Sequence, residues 1–211
     1  DKIHIGGIVE RGTRENPIVI GAYGGNIVND PAMNQRPVID GLNRDSPGIE
    51  IGAWSGDYSE WVELYSFVVH RCRGIETTPS SRYIKINNCE VYNNGNNGQF
   101  YIRHGYYGEE ILQYIELRNA IARDNIGIGG AVAGIKLSAH ESKAINCKTY
   151  NNTNSGIKFS LESDGNEGKY ILTYGNKSNG LTMDGYNGTM KYCISQDNSN
   201  NGFQFSAHSN N

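Results

Sequence analysis

The stretch Asn146-Cys147-Lys148-Thr149-Tyr150-Asn151-Asn152 decides how this chain folds, because it is written two more times. Asn88-Cys89-Glu90-Val91-Tyr92-Asn93-Asn94 precedes it, and Tyr192-Cys193-Ile194-Ser195-Gln196-Asp197-Asn198 follows it. Past the last Asn of each copy stands a Gly and then an alternating apolar pair. These are Gly98 with Phe100 and Ile102 (one residue out of step), Gly156 with Ile157 and Phe159, and Gly202 with Phe203 and Phe205. Gly48, Gly74, Gly134 and Gly180 open equivalent segments, and the successive spacings are 26, 24, 36, 22, 24 and 22 residues, so a single repeat is long.

A period of 22 to 26 residues, with three short alternating segments between Asn/Gly/Ser turns, is the pattern of a parallel β-helix in which each repeat is one rung. Stacking at about 4.8 Å then turns each alignment column into a line of side chains. Nine positions before the Gly come Tyr65, Cys89, Cys147, Ile171 and Cys193, with Ala120 supplied by the long rung: an inward apolar column. Four before it stand Asn94, Asn152, Asn176 and Asn198, with Asn125 supplied by the long rung: an asparagine ladder. Asn tolerates the left-handed backbone of a tight bend, and its amide can donate to and accept from the Asn one rung away. Residues 109 to 123 put Ile111, Leu112, Ile115 and Ala122 near helical spacing, but Tyr114 to Ala120 aligns onto Tyr83 to Cys89, which reads as strand. The expected fold is all-β: a right-handed single-stranded parallel β-helix of about eight rungs. It forms one domain over 1–211, with N-terminal rungs in 1–47, regular rungs in 48–211 and a long loop at about 103–113.

The composition agrees with one domain. The chain has 211 residues with 27 Gly, 26 Asn and 37% apolar residues, enough for a single core. A formal charge of -3 gives no general attraction to nucleic acid. No apolar run is long enough to insert into a membrane. The opening Asp1-Lys2-Ile3-His4 lacks the layout of a secretory leader, so the expectation is a soluble chain from which any leader has been trimmed.

Cys89, Cys147 and Cys193 share one column but are two rungs apart, about 9.6 Å by stacking. That exceeds the Cα separation of about 7 Å that a disulfide tolerates, so free buried thiols are expected. Cys72 falls in a different register. The sequons at Asn151, Asn176 and Asn187 follow from the abundance of Asn, and a glycan on Asn176 would not fit within the ladder.

The segment from Gly12 to Tyr23, followed by Arg36-Pro37-Val38-Ile39-Asp40-Gly41 and then by the rungs, resembles the pectate-lyase-like superfamily of right-handed parallel β-helix proteins along nearly the whole chain. That superfamily includes polysaccharide lyases, glycosidases, phage tailspikes, epimerases and proteins without known catalysis, so the resemblance implies a fold and leaves chemistry to the site. Gln99-Phe100-Tyr101-Ile102-Arg103-His104-Gly105 looks like the strand ending in Arg-His-Gly of the chondroitinase and alginate lyase family, whose arginine is taken to assist proton transfer. That family carries calcium-binding acids and a catalytic lysine one rung earlier. Glu76 matches an acid, whereas Thr77-Thr78-Pro79-Ser80-Ser81 supplies no lysine.

The long rung offers two insertions. The bend at 126–133 is small and apolar, while the loop at about 103–113 carries Arg103, His104, Tyr106, Tyr107, Glu109 and Glu110. Insertions on a repeat scaffold tend to gather on its binding face. Six positions after the rung Gly lie Trp54, His104, His140, Glu162, Tyr186 and His208, and outward strand positions add Lys136 and Lys158. β-Elimination from a uronate needs a cation to neutralise the carboxylate and a base to remove the proton alpha to it. Arg103, His104, Lys136 and Lys158 are the catalytic candidates; Trp54, Tyr106, Tyr107, His140 and Tyr186 are the sugar-binding ones. Glu162, Asp164 and Asp184 gather oxygen ligands of the kind calcium takes, or else form a solvated acidic turn.

Three functions stay open. The first is an extracellular or secreted carbohydrate-active enzyme, a polysaccharide lyase acting on an acidic polysaccharide. The second is a non-catalytic glycan-binding module. The third is a structural β-helix subunit of a filament or spike, self-associating through solenoid ends that no amphipathic helix covers.

Overall fold

The computed structural model describes residues 3–5, 12–21, 36–42, 45–52, 59–95, 99–103, 114–127, 133–160 and 164–206, the strand at 3–5 by its backbone alone. The chain is an all-β parallel solenoid. Among the described residues the strands fall into three parallel sheets, one of eight strands and two of seven, and successive strands visit the three sheets in turn. The first sheet holds Ile49–Ile51, Gly74–Thr77, Gln99–Ile102, Ala133–Leu137, Ser155–Phe159, Leu181–Met183 and Phe203–Phe205, with Ile3–Ile5 at its far edge. The second contains Ser59–Tyr65, Ser81–Asn87, Ile115–Arg118 and Lys143–Ile145, and the third contains Val68–His70, Glu90–Tyr92, Ile121–Arg123 and Lys148–Tyr150. Ile115–Arg118 and Ile121–Arg123 confirm the strand reading of that region over its helical alternative.

Alternation within each strand sends every second side chain inward. In the first sheet Ile49, Ile75, Phe100, Ile135, Ile157 and Leu181 stack as one column, all with no exposed surface. The third sheet's inward column runs Ile39, Val69, Val91, Ala122, Thr149, Thr173, Ser195, so the core becomes smaller and more polar toward the C-terminal rungs. Thr173 Oγ1 and Ser195 Oγ lie 3.0 Å apart there, which satisfies two hydroxyls that an apolar core would strand.

The asparagine ladder runs through Asn94, Asn125, Asn152, Asn176 and Asn198. Each Nδ2 donates to Oδ1 of the next Asn, at 3.1 Å for the first step and 2.9 Å for the other three. The same Oδ1 also accepts the backbone N–H of the Asn below it. Every Nδ2 has a second acceptor in a main-chain carbonyl: Val69 for Asn94, Val91 for Asn125, Ala122 for Asn152, Thr149 for Asn176 and Thr173 for Asn198. The left-handed backbone belongs to the preceding residue, not to the ladder Asn. Asn93, Asp124, Asn151, Gly175 and Asp197 have φ of 49°, 52°, 54°, 62° and 52°. Cys72 takes the ladder place one rung earlier, where its N–H donates to Asn94 Oδ1 at 3.0 Å.

The glycine column is explained by the ladder beside it. A Cβ on Gly156 would stand 2.5 Å from Thr149 Oγ1, 2.6 Å from the Gly180 carbonyl and 2.9 Å from Asn176 Nδ2, so a side chain cannot enter without displacing the ladder. In the register of the sheet Gln99, not Gly98, occupies this column. Phe67, not Tyr65, shares the column of Cys89, because Glu90 donates its N–H to the Phe67 carbonyl while Tyr65 pairs with Asn87. The turn between Cys72 and Gly74 is two residues shorter than the one between Asn152 and Gly156, so counting back from the glycine overshoots. All four cysteines are free, and burial pushes the Cys89 and Cys147 thiols up to about 12, which leaves them as inert packing groups.

Candidate functional site

Two outer faces share the same spacing and carry opposite charge patterns. On the second sheet one outward column reads Glu63, Lys85, Glu116, Lys143, Glu167. Signs alternate at every step, so Lys85, Glu116 and Lys143 each have opposite neighbours about 4.8 Å above and below. Lys85 Nζ is 2.6 Å from Glu63 and Lys143 Nζ is 3.7 Å from Glu167, while Arg118 bonds Glu116 from the same strand. This face is a self-neutralising ladder.

The first sheet's outward column reads Glu50, Glu76, Tyr101, Lys136, Lys158, Thr182, Gln204. Like charges are stacked here, two carboxylates and then two ammonium groups, and Tyr101 stands between the pairs. Proteins tend to depart from such local rules where function requires it.

The acidic half is nearly closed to solvent, with Glu50 at 4% and Glu76 at 1% exposure. Two arginines meet Glu76 Oε2, Arg103 at 3.0 Å and Arg73 at 3.4 Å, while Glu76 Oε1 is buried without a hydrogen-bond partner. Burial pushes the Glu76 carboxyl above the ordinary glutamate value, with Glu50 adding to the effect and both arginines opposing it.

Arg103 is the hinge between the two halves. Its backbone N–H donates to Thr77 Oγ1 at 3.1 Å, and its guanidinium carbon lies 4.1 Å from the centroid of the Tyr101 ring. Glu76 thus holds the guanidinium over the Tyr101 ring, a cation–π contact reinforced by an ion pair. From the other side Lys136 Nζ reaches Tyr101 Oη at 3.3 Å. Among the described residues Lys136 has no carboxylate partner. Lys158 Nζ is 3.0 Å from Asp184, whose other oxygen accepts the Ser206 hydroxyl. The neighbouring ammonium groups are therefore tied to different partners, one to a phenol and one to a carboxylate.

His140 and Tyr186 occupy a different place, the turns that follow the first sheet. His140 Nδ1 accepts the Asp164 N–H at 3.1 Å, Asp164 forms an isolated parallel bridge with Tyr186, and Asp164 Oδ1 accepts Asn187 Nδ2 at 2.9 Å. Asp164 and Asp184 thus each have protein partners of their own, and among the described residues no group of three His, Cys, Asp or Glu is placed to hold a metal ion. His104, Trp54, Tyr106, Tyr107 and Glu162 lie outside the described residues.

The structure brings Arg103, Lys136 and Lys158 onto one face and adds Tyr101, Glu76, Glu50, Arg73 and Asp184 around them. Sequence reasoning passed over Tyr101. The signal was available: Tyr101 lies between inward Phe100 and Ile102, in the same column as Lys136 and Lys158. Among the described residues no helix is long and apolar enough to cross a membrane. No family model, curated protein or solved structure matches the chain.

Proposed function

We propose that this chain is a secreted carbohydrate-active β-solenoid of the pectate-lyase-like kind, which binds an acidic polysaccharide along the outer face of the first sheet and cleaves it by β-elimination. The observation that carries this reading is the stacked pair Lys136 and Lys158 beside Arg103, on a face without the alternating charges of the second sheet. A repeating polyanion supplies the alternating negative groups that the step from Lys136 to Lys158 lacks. The rung spacing of about 4.8 Å is comparable to the length of one sugar residue in an extended chain, so consecutive cations can meet consecutive uronates. Cation neutralisation of the uronate acidifies the proton alpha to its carboxylate, and an adjacent base removes it.

The test is incubation with polygalacturonate, alginate and chondroitin sulfate, with and without added calcium, following the ultraviolet absorbance of the unsaturated uronide. One of these polymers is expected to yield that product, and Arg103→Ala is expected to abolish it while the melting temperature holds. Retention of a polymer without any product would favour the glycan-binding module instead. Neither retention nor product would remove the first sheet as a polysaccharide site.

A further inference from the structure

The geometry points to Tyr101 as the proton donor to the departing sugar, coupled to Lys136 in a two-residue relay. This rests on the lyase reading above and specifies how its proton is moved. Tyr101 is half-buried at the centre of the charged column, with its ring under Arg103 at 4.1 Å and its Oη 3.3 Å from Lys136 Nζ. Arg103 is anchored by Glu76 and Lys158 by Asp184, whereas Lys136 is anchored only by the phenol among the described residues. An amine that must exchange a proton is better served by a phenol than by a carboxylate, because the phenol can both donate and accept.

The step balances within the pair. Acting as base requires the Lys136 amine with its lone pair free, and acting as acid requires the Tyr101 phenol with its proton in place. Lys136 Nζ takes the proton from the carbon alpha to the uronate carboxylate, and that C–H bond breaks. Its electron pair forms the new carbon–carbon double bond as the bond from the beta carbon to the glycosidic oxygen breaks. Tyr101 Oη gives its proton to that departing oxygen. The Lys136 ammonium then returns its proton to the Tyr101 phenolate across their existing hydrogen bond, restoring the starting pair without an outside acid or base. Arg103 and Lys158 neutralise the carboxylates and exchange no proton.

Tyr101→Phe isolates this role, since it removes only Oη and keeps the ring on which Arg103 rests. The unsaturated product is expected to form about 10²- to 10⁴-fold more slowly, the usual contribution of a positioned proton donor. Retardation in gels containing the same polymer, and the melting temperature, should stay at wild-type values. Lys136→Arg keeps the positive charge but removes the amine, and should lose activity in parallel while still binding. A Tyr101→Phe rate within tenfold of wild type overturns the relay and leaves the lyase reading standing. A wild-type chain that makes no product from polygalacturonate, alginate or chondroitin sulfate overturns the lyase reading, and the relay falls with it.

Discussion

The outer faces of the first and second sheets are built on one scaffold at one spacing, yet they handle charge in opposite ways. On the second sheet Lys85 pairs with Glu63 and Lys143 with Glu167 up an alternating stack, and Arg118 meets Glu116 from within its own strand. On the first, Glu50 sits on Glu76 and Lys136 on Lys158; relief comes from outside the column through Arg73, Arg103 and Asp184, and within it only through Tyr101. A vertical ladder neutralises itself and leaves little field for a ligand. A face of stacked like charges projects a field, and lateral partners hold its cations in place. In this solenoid the order of signs in a column separates a face that neutralises itself from one that stacks like charges.

Three measurements would break or sharpen this contrast. The largest effect on stability is expected from Asn152→Leu, which removes the shared spacing. It strands the amide groups of Asn125 and Asn176 in a buried turn, at a cost of about 1–3 kcal/mol; an unchanged denaturation midpoint would mean that the ladder does not set the rungs. Next, Lys158→Ala should weaken polyanion binding about tenfold, the loss of one charge-assisted contact. Lys143→Ala, the same charge change on the second sheet, should alter binding by less than about twofold, because that lysine is already neutralised within its own column. Equal losses in gel retardation would erase the distinction between the faces.

The smallest effect concerns pH, where the two carboxylates should act with opposite signs. Burial raises the pKa of Glu76. A group raised in the folded state contributes stability that is present below its unfolded pKa and lost as pH climbs through the folded one. For Glu63 burial works in the same upward sense but is outweighed by the hydrogen bonds from Lys85 and Tyr65, so its pKa is lowered. Its contribution is present above the unfolded value and lost as pH falls through the folded one. Melting curves from acid to neutral pH should therefore show Glu63→Gln losing most against wild type at neutral pH, by up to about 1 kcal/mol. The stability of Glu76→Gln relative to wild type should instead improve as pH rises. Parallel shifts in the two variants would contradict the assigned environments.

Much of the architecture was legible in the letters, because a solenoid residue's main neighbours are copies of its own position. Asn94, Asn125, Asn152, Asn176 and Asn198 could be aligned by counting, and counting placed Lys136 next to Lys158. It failed where a turn changed length. The short turn after Cys72 displaced Tyr65 from the inward column and put Phe67 there, and the segment before Gln99 moved the glycine column by one. The candidate site was legible in part: Arg103, Lys136 and Lys158 share the face foreseen for them, whereas His140 and Tyr186 stand in a separate cluster around Asp164.

The sequence by itself determined the winding, the ladder and the inward columns, since each arises from contact between a residue and its equivalent one period away. Only the tertiary structure decided that Arg103 lies over the Tyr101 ring, that Lys136 reaches the phenol while Lys158 takes Asp184, and that Glu76 is buried with one oxygen unmatched. Apart from the Lys136–Tyr101 pair, whose members are column neighbours, those contacts join positions that are not equivalent in the repeat. Their partners are chosen by side-chain length, reach across a rung and local exclusion of water, none of which the period encodes.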